Sequence, residues 1–127
     1  MSIDYPGQER REFFRYRHVE PARFKEVSKN DNTLSDIAAA VTKNLSASGM
    51  LFTSEYPPRL SSIIILDVDY RTSMLCEEIE ERALILNNRL IGKVVRIEDN
   101  DNGSYDIGVA FVKKSDDLSK HVLDLVK

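Results

Sequence analysis

Apolar and polar positions alternate through most of the chain after residue 35, and this pattern predicts strands. Ile37, Ala39 and Val41 fall at every second position, which is the period of a strand with one buried face. The alternation stops at residues 44–49, which are rich in Asn, Ser and Gly, so a turn is expected there. A second strand over residues 50–53 leaves this turn.

Two longer strands and a second hairpin follow. Ser61 to Val68 contains three consecutive Ile residues, and Leu84 to Ile97 is long enough for one bent strand with Gly92 at a bulge. Asn102-Gly103 is the pair most typical of a tight hairpin. Beyond it, the apolar positions Tyr105, Ile107, Val109 and Phe111 alternate onto one face.

The end of the chain changes to helical spacing. Leu118, Val122 and Leu125 lie at i, i+4 and i+7, and Ser115 stands where an N-cap belongs. Residues 74–83 predict one further helical turn. Short strands joined by turns and followed by a helix predict a mostly β fold. We expect a small antiparallel barrel or sandwich, with the C-terminal helix covering an opening or an edge.

Composition is that of a single globular domain. The chain has 127 residues, with 18 Lys and Arg against 21 Asp and Glu, and a net charge of −3. Cys76 is the single cysteine, which excludes an internal disulfide and fits a reducing cytoplasm. The longest apolar run, residues 37–41, has five residues, too few for a transmembrane helix or a signal peptide. We therefore expect a cytoplasmic protein without membrane insertion.

The charges are distributed unevenly along the chain. An acidic total argues against sequence-independent nucleic-acid binding, yet residues 9–25 hold six cations against three anions. A positive segment on an acidic protein indicates a confined anion site. Residues 74–82 are the opposite extreme, with four Glu and one Arg, and the role of this acidic segment stays open.

Two arginines four residues apart, Arg11 and Arg15, are the first candidate binding residues, and Arg10 precedes them. Each guanidinium offers a rigid fork of donors that matches phosphate oxygens or the acceptor edge of guanine. With ten Arg in the chain, about 0.8 such pairs are expected by chance. The spacing alone is therefore equally typical of a solvated, charged segment.

The second candidate is Asn44-x-Ser46-x-x-Gly49 at the exit of the first predicted strand. A spacing of two places the Asn amide and the Ser hydroxyl on one face, and Gly49 permits a positive φ or a close approach of ligand to backbone. About 0.06 occurrences of this pattern are expected by chance. The alternative is a Ser- and Gly-rich hairpin that binds nothing.

Metal and catalytic sites are poorly supported by the residues. Residues 99–110 do not match a calcium loop, because glycine falls at the fifth place and Ala110 at the twelfth. The thiol of Cys76 lies beside Glu77 and Glu78, whose charges raise its pKa and disfavour a nucleophilic role. With two His in the chain, a histidine metal site is not expected either. We predict neither catalysis nor a metal or other cofactor.

Taken together, the two motifs in this order, followed by residues 108–112 in the last strand before a helix, resemble the PilZ domain family. This family is the bacterial receptor module for cyclic di-GMP. The resemblance implies a six-stranded, split β-barrel with a C-terminal α-helix over residues 9–127, preceded by a tail of residues 1–8. It also implies that the arginine segment closes over the ligand. The ligand-binding residues it implies are Arg10, Arg11, Arg15, Asn44, Ser46 and Gly49.

The function expected from the resemblance is that of a cyclic di-GMP effector. The ligand would pin the arginine segment and change the surface shown to an unidentified effector protein, which would control motility, biofilm or exopolysaccharide output. The chain would act as a monomer or homodimer. Two alternatives stay open: a barrel that stacks single-stranded nucleic acid on Phe13, Phe14 and Tyr16, and a nucleotide-independent protein-interaction scaffold of the same fold.

Overall fold

A computed structural model describes residues 15–28, 33–116 and 123–124 of the chain. This part contains seven strands and one helix of regular length. They are β1 (Arg15–Glu26), β2 (Ala38–Ser46), β3 (Gly49–Ser54), β4 (Ile63–Asp67), α1 (Cys76–Arg82), β5 (Ile85–Leu86), β6 (Arg89–Asp99) and β7 (Tyr105–Phe111).

The strands form a closed antiparallel barrel. Their order is β4-β1-β2-β3-β7-β6, and a further pairing of β4 with β6 joins the two ends into a ring of six strands. Strand β5 is a two-residue addition that pairs with β6. Closure removes the exposed strand edges that a flat sheet would present. The mostly β class and the six-stranded barrel are therefore confirmed.

Two aromatic rings fill the barrel core beneath β2, and they explain why the inward residues of this strand are small. Phe24 of β1 lies opposite Ala38, and Phe52 of β3 lies opposite Thr42. The ring centroids of Phe24 and Phe52 are 5.1 Å apart, so the rings meet over the inner face of the strand between them. Small residues at the inward positions of β2 leave the space that these rings occupy.

The same packing corrects the expected orientation of β2. Ala38, Ala40 and Thr42 point inward, whereas the predicted apolar face of Ile37, Ala39 and Val41 points outward and is exposed. The strand itself is confirmed, but the alternation of larger apolar residues marks its outer face. The turn that follows is shorter than predicted, at residues 47–48, because β2 continues through Ser46. Strand β3 agrees with the sequence pattern.

The later strands agree with the predictions in part. The β6–β7 hairpin is confirmed, with Gly103 at a φ of 88° in its loop, and the predicted inward face of β7 is buried or half-buried. The expected single strand over Leu84 to Ile97 is wrong. Asn87 and Asn88, at φ values of 52° and 62°, make a tight turn that separates β5 from β6.

Two further differences concern β6 and β1. The bulge of β6 falls between Val94 and Arg96 instead of at Gly92. Strand β1 has 12 residues and was not predicted, because its outward positions carry charges and Pro21, which weaken the apolar alternation.

The helical predictions have different outcomes. The turn over residues 74–83 is confirmed as α1, and it is anchored by Leu75 and Ile79, both buried in the core. The predicted C-terminal helix lies mostly outside the described residues, although Leu123 and Asp124 are helical. None of the helices within the described ranges has the length and hydropathy needed to cross a membrane.

Candidate ligand-binding site at the β2–β3 turn

The hydroxyl of Ser46 closes the turn between β2 and β3. It accepts hydrogen bonds from the backbone N–H groups of Gly49 (3.1 Å) and Ser48 (3.3 Å) and donates to the carbonyl of Gly49 (3.2 Å). The side chain is 6% exposed. A serine that satisfies backbone donors in this way fixes the turn. The hydrogen bonds of this hydroxyl are therefore used within the turn itself.

Gly49 is required by the close approach of β7. A Cβ atom at this position would lie 2.2 Å from the carbonyl oxygen of Val109, a backbone atom that cannot move aside. The neighbouring bond, from the N–H of Phe111 to the carbonyl of Ser48 at 2.8 Å, continues the contact with β7. The predicted positive φ at Gly49 is wrong, and the structure shows instead that the glycine admits the neighbouring strand. The close approach of a ligand stays a prediction.

A β-bulge at Lys43 determines where Asn44 points. The β2–β3 register shifts between Thr42 and Asn44, so that two residues of β2 oppose one of β3. Before the bulge Ala40 and Thr42 of β2 point into the core, and after it Leu45 does. Asn44 is thereby moved away from the core interior and stays half-buried.

The amide of Asn44 has an unused acceptor. Its Oδ1 atom is buried and, within the described part of the chain, has no hydrogen-bond partner. The same is true of Oγ1 of Thr42 on the other side of the bulge. Buried polar atoms without a partner are uncommon because they lose hydration without compensation. Oδ1 of Asn44 can therefore accept a hydrogen bond from a donor that does not belong to the described residues.

The bulge is held from the outside of the barrel by Asp106 of β7. The carboxylate accepts hydrogen bonds from Thr53 (2.8 Å) and Asn100 (3.0 Å) and forms an ion pair with Lys43 (3.2 Å). Partial burial raises the pKa of Asp106, but these hydrogen bonds and the charge of Lys43 outweigh it and hold the pKa below its usual value. Three strands are thus tied together beside Asn44.

The first strand brings the backbone of Arg15 and Arg17 to the same turn. In the β1–β2 register Arg15 is the partner of Ser46, and Arg17 is the partner of Asn44. Paired residues of antiparallel strands have Cα atoms about 4.5 to 5.5 Å apart. The backbone of Arg15 therefore lies next to the Asn-x-Ser-x-x-Gly motif. Arg10 and Arg11 fall outside the described residues.

A cavity with cationic walls adjoins the turn, and the sequence patterns did not predict it. It has a volume of about 240 Å³ and lies between the turn, the end of α1 and the residues after β7. A bridge between Ala83 and Lys113 joins the last two of these elements. Arg82, Lys113 and Lys114 line the cavity, together with Glu81 as its acidic residue. Excess positive charge in a recess attracts anions.

Outside this end of the barrel the described residues offer little reactive chemistry. Within the described ranges no three His, Cys, Asp or Glu side chains are grouped so that they could hold a metal ion. Burial, followed by the charge of Glu80 and a hydrogen bond with it, raises the pKa of the Cys76 thiol. The expected direction is right, although Glu80, four residues along α1, is the main carboxylate responsible.

A family model described as PilZ domain matches residues 9–127, which is nearly the whole chain. No curated protein matches the chain.

Proposed function

The chain belongs to the PilZ domain family, whose members are cyclic di-GMP receptors, and from this premise we propose that it binds cyclic di-GMP at the β2–β3 turn. The single observation that carries the proposal is the β1–β2 register. It pairs Arg15 with Ser46 and so joins the two motifs, which are thirty residues apart in the chain. A receptor, and not an enzyme, is the role we assign.

In this proposal the residues of the two motifs have different roles. Ser46 and Gly49 hold the shape of the turn through the contacts described above, whereas Asn44 and the arginines contact the ligand. The buried Oδ1 of Asn44 supplies an acceptor for a guanine N–H, since it has no donor within the described residues. Arg15, assisted by Arg10 and Arg11, supplies guanidinium forks for phosphate and for the acceptor edge of guanine.

The cavity beside the turn suits the charge of the ligand. Cyclic di-GMP carries two phosphodiester groups, each with one negative charge. Lys113 and Lys114 face the cavity from the end of β7, next to Ser48. We propose that these two lysines attract the doubly charged ligand over a distance, and that salt weakens this attraction by screening the charges.

The proposed mechanism is closure of the arginine segment on the barrel. Charge-assisted bonds from the arginines to the ligand hold the residues that precede β1, with Arg10 and Arg11 among them, against the turn, which changes the surface shown to an effector protein. In a cytoplasmic receptor of this kind, that change controls motility, biofilm or exopolysaccharide output.

Titration calorimetry of the Arg15→Ala variant tests the proposal. We expect affinity for cyclic di-GMP to fall about 10- to 150-fold, the loss of 1.5 to 3 kcal/mol typical of a charge-assisted hydrogen bond. Arg23→Ala is the matched control, because Arg23 lies eight residues further along β1, about 26 Å away, and binds Asp67. Equal affinities in both variants would reject the proposed site.

A further inference from the structure

The outer face of β2 presents an apolar stripe to solvent. It consists of Ile37, Ala39 and Val41 together with Tyr56, which follows β3. Ile37, Val41 and Tyr56 are 57%, 45% and 61% exposed. Single exposed apolar residues are ordinary, but a run of them on one sheet face marks an interaction surface.

The shape of the surface supports this interpretation. Cavities of about 520 and 410 Å³ lie against the stripe, and both are lined by Ala39 and Tyr56. Tyr56 therefore stands between two recesses. An aromatic side chain beside recesses is the arrangement that allows two surfaces to interlock.

Charges of opposite sign flank the stripe. On the β1 side Arg23 is paired in register with Ala39, and Lys25 lines the recess beside Ile37. On the β3 side Glu55 lines a recess next to Tyr56. Asp36 lies at the end of the stripe, directly before Ile37, and Glu26 in the same recess is paired with Arg59. The surface thus has a basic flank and an acidic flank with apolar residues between them. Arg23 also binds Asp67 at 2.8 Å within its own barrel.

We propose that the apolar stripe is the contact between two copies of this chain, related by a two-fold axis parallel to β2. A two-fold axis along the stripe brings the basic flank of one copy onto the acidic flank of the other, on both sides at once. A two-fold axis across the strands would instead oppose like charges. The charge pattern is therefore self-complementary in one orientation.

The proposed occupant follows from the same pattern. A partner of uniform charge is repelled by one of the two flanks, whereas a second copy satisfies both. With its flanks the stripe spans three strands, about 14 Å, and residues 37–41 extend about 17 Å along β2. The resulting area of about 240 Å² is smaller than that of a standard interface, about 800 Å² per partner. The dimer is consequently weak and its population depends on concentration.

Sedimentation equilibrium of the full chain without ligand tests the proposal, at protein concentrations from about 5 μM to about 500 μM. The average mass should rise toward the dimer with concentration. Val41→Lys should raise the dissociation constant at least about tenfold, because it places a charge in the centre of the stripe. Val95→Lys is the matched control, since Val95 is also an exposed valine of the barrel, on β6.

Charge reversal tests the orientation of the two copies. Glu55→Lys and Lys25→Glu should each weaken the dimer, and the double variant should restore it. A wild-type chain that stays monomeric throughout the range, or equal effects of Val41→Lys and Val95→Lys, would overturn the proposed surface. A double variant no stronger than the single ones would overturn the axis. Each variant is first checked for the circular dichroism spectrum of the folded wild type.

Discussion

At the scale of single residues, the two polar side chains of the Asn-x-Ser-x-x-Gly motif have different structural positions. Ser46 has its hydroxyl bonded to the backbone of the turn, whereas the Asn44 acceptor lacks a partner within the described residues. Removing Ser46 Oγ leaves the N–H groups of Gly49 and Ser48 without an acceptor. Removing Asn44 Oδ1 takes away an atom whose desolvation already costs free energy.

Alanine substitution should therefore separate folding from binding. We expect Ser46→Ala to lower the free energy of unfolding by about 1 to 2 kcal/mol, and Asn44→Ala to leave it unchanged or raise it slightly. Asn44→Ala should nevertheless weaken cyclic di-GMP binding about tenfold or more, a loss of about 1.4 kcal/mol. Urea denaturation and calorimetry on the same preparations measure both quantities. Large destabilisation by Asn44→Ala would contradict the assignment.

At the scale of elements, the bulge in β2 connects the outer surface of the barrel to the site. Lys43 occupies the bulge, and its ion pair with Asp106 ties β2 to β7, while Thr53 ties β3 to the same carboxylate. Without the bulge, strand alternation would turn Asn44 toward the core and Leu45 toward solvent. The position of Asn44 therefore depends on the geometry of three strands.

The carboxylate of Asp106 makes the stability of the folded chain depend on pH. Its pKa is lowered in the folded chain, so the ionised group stabilises the fold at pH values above the unfolded pKa of about 3.9. This contribution is lost as the pH falls through the lower folded pKa. In urea denaturation, Asp106→Asn should be less stable than wild type at neutral pH, and the difference should shrink below about pH 4.

Asp101→Asn is the control for this effect, because Asp101 is an exposed carboxylate in the loop between β6 and β7. It should leave the stability profile close to wild type. A stability difference between Asp106→Asn and wild type that is the same at pH 7 and at pH 3 would show that the charge of Asp106 does not stabilise the bulge.

At the scale of the whole molecule, pairings between distant strands create the barrel, and the sequence patterns describe only its local parts. The Asn102-Gly103 hairpin was predicted because a turn signal and the alternation beside it are both local. The β4–β6 pairing that closes the barrel joins segments with α1 and β5 between them. Closure is a non-local property and leaves no short pattern.

The orientation of β2 was wrong for a related reason. Its inward residues are small because Phe24 and Phe52 reach across it from the neighbouring strands. Which face of a strand is buried depends on these neighbours, and the larger apolar residues of β2 lie on the opposite face.

The candidate site was predictable as two motifs but not as an arrangement. The spacing of Asn44, Ser46 and Gly49 identified the turn. The roles of Ser46 and Gly49 in closing it depend on contacts with each other and with β7, which the spacing does not reveal. Lys113 and Lys114 were missed because their proximity to the turn comes from the β3–β7 pairing.

Calorimetric titration of the wild-type chain with cyclic di-GMP, with GTP and linear pGpG as controls, tests whether the chain is a receptor for this nucleotide. We expect saturable binding of cyclic di-GMP, with GTP and pGpG at least about tenfold weaker because neither presents two phosphodiesters in a closed ring. Equal affinity for all three nucleotides would contradict a site selective for cyclic di-GMP. Absence of cyclic di-GMP binding would reject the receptor function and favour the nucleotide-independent scaffold of the same fold.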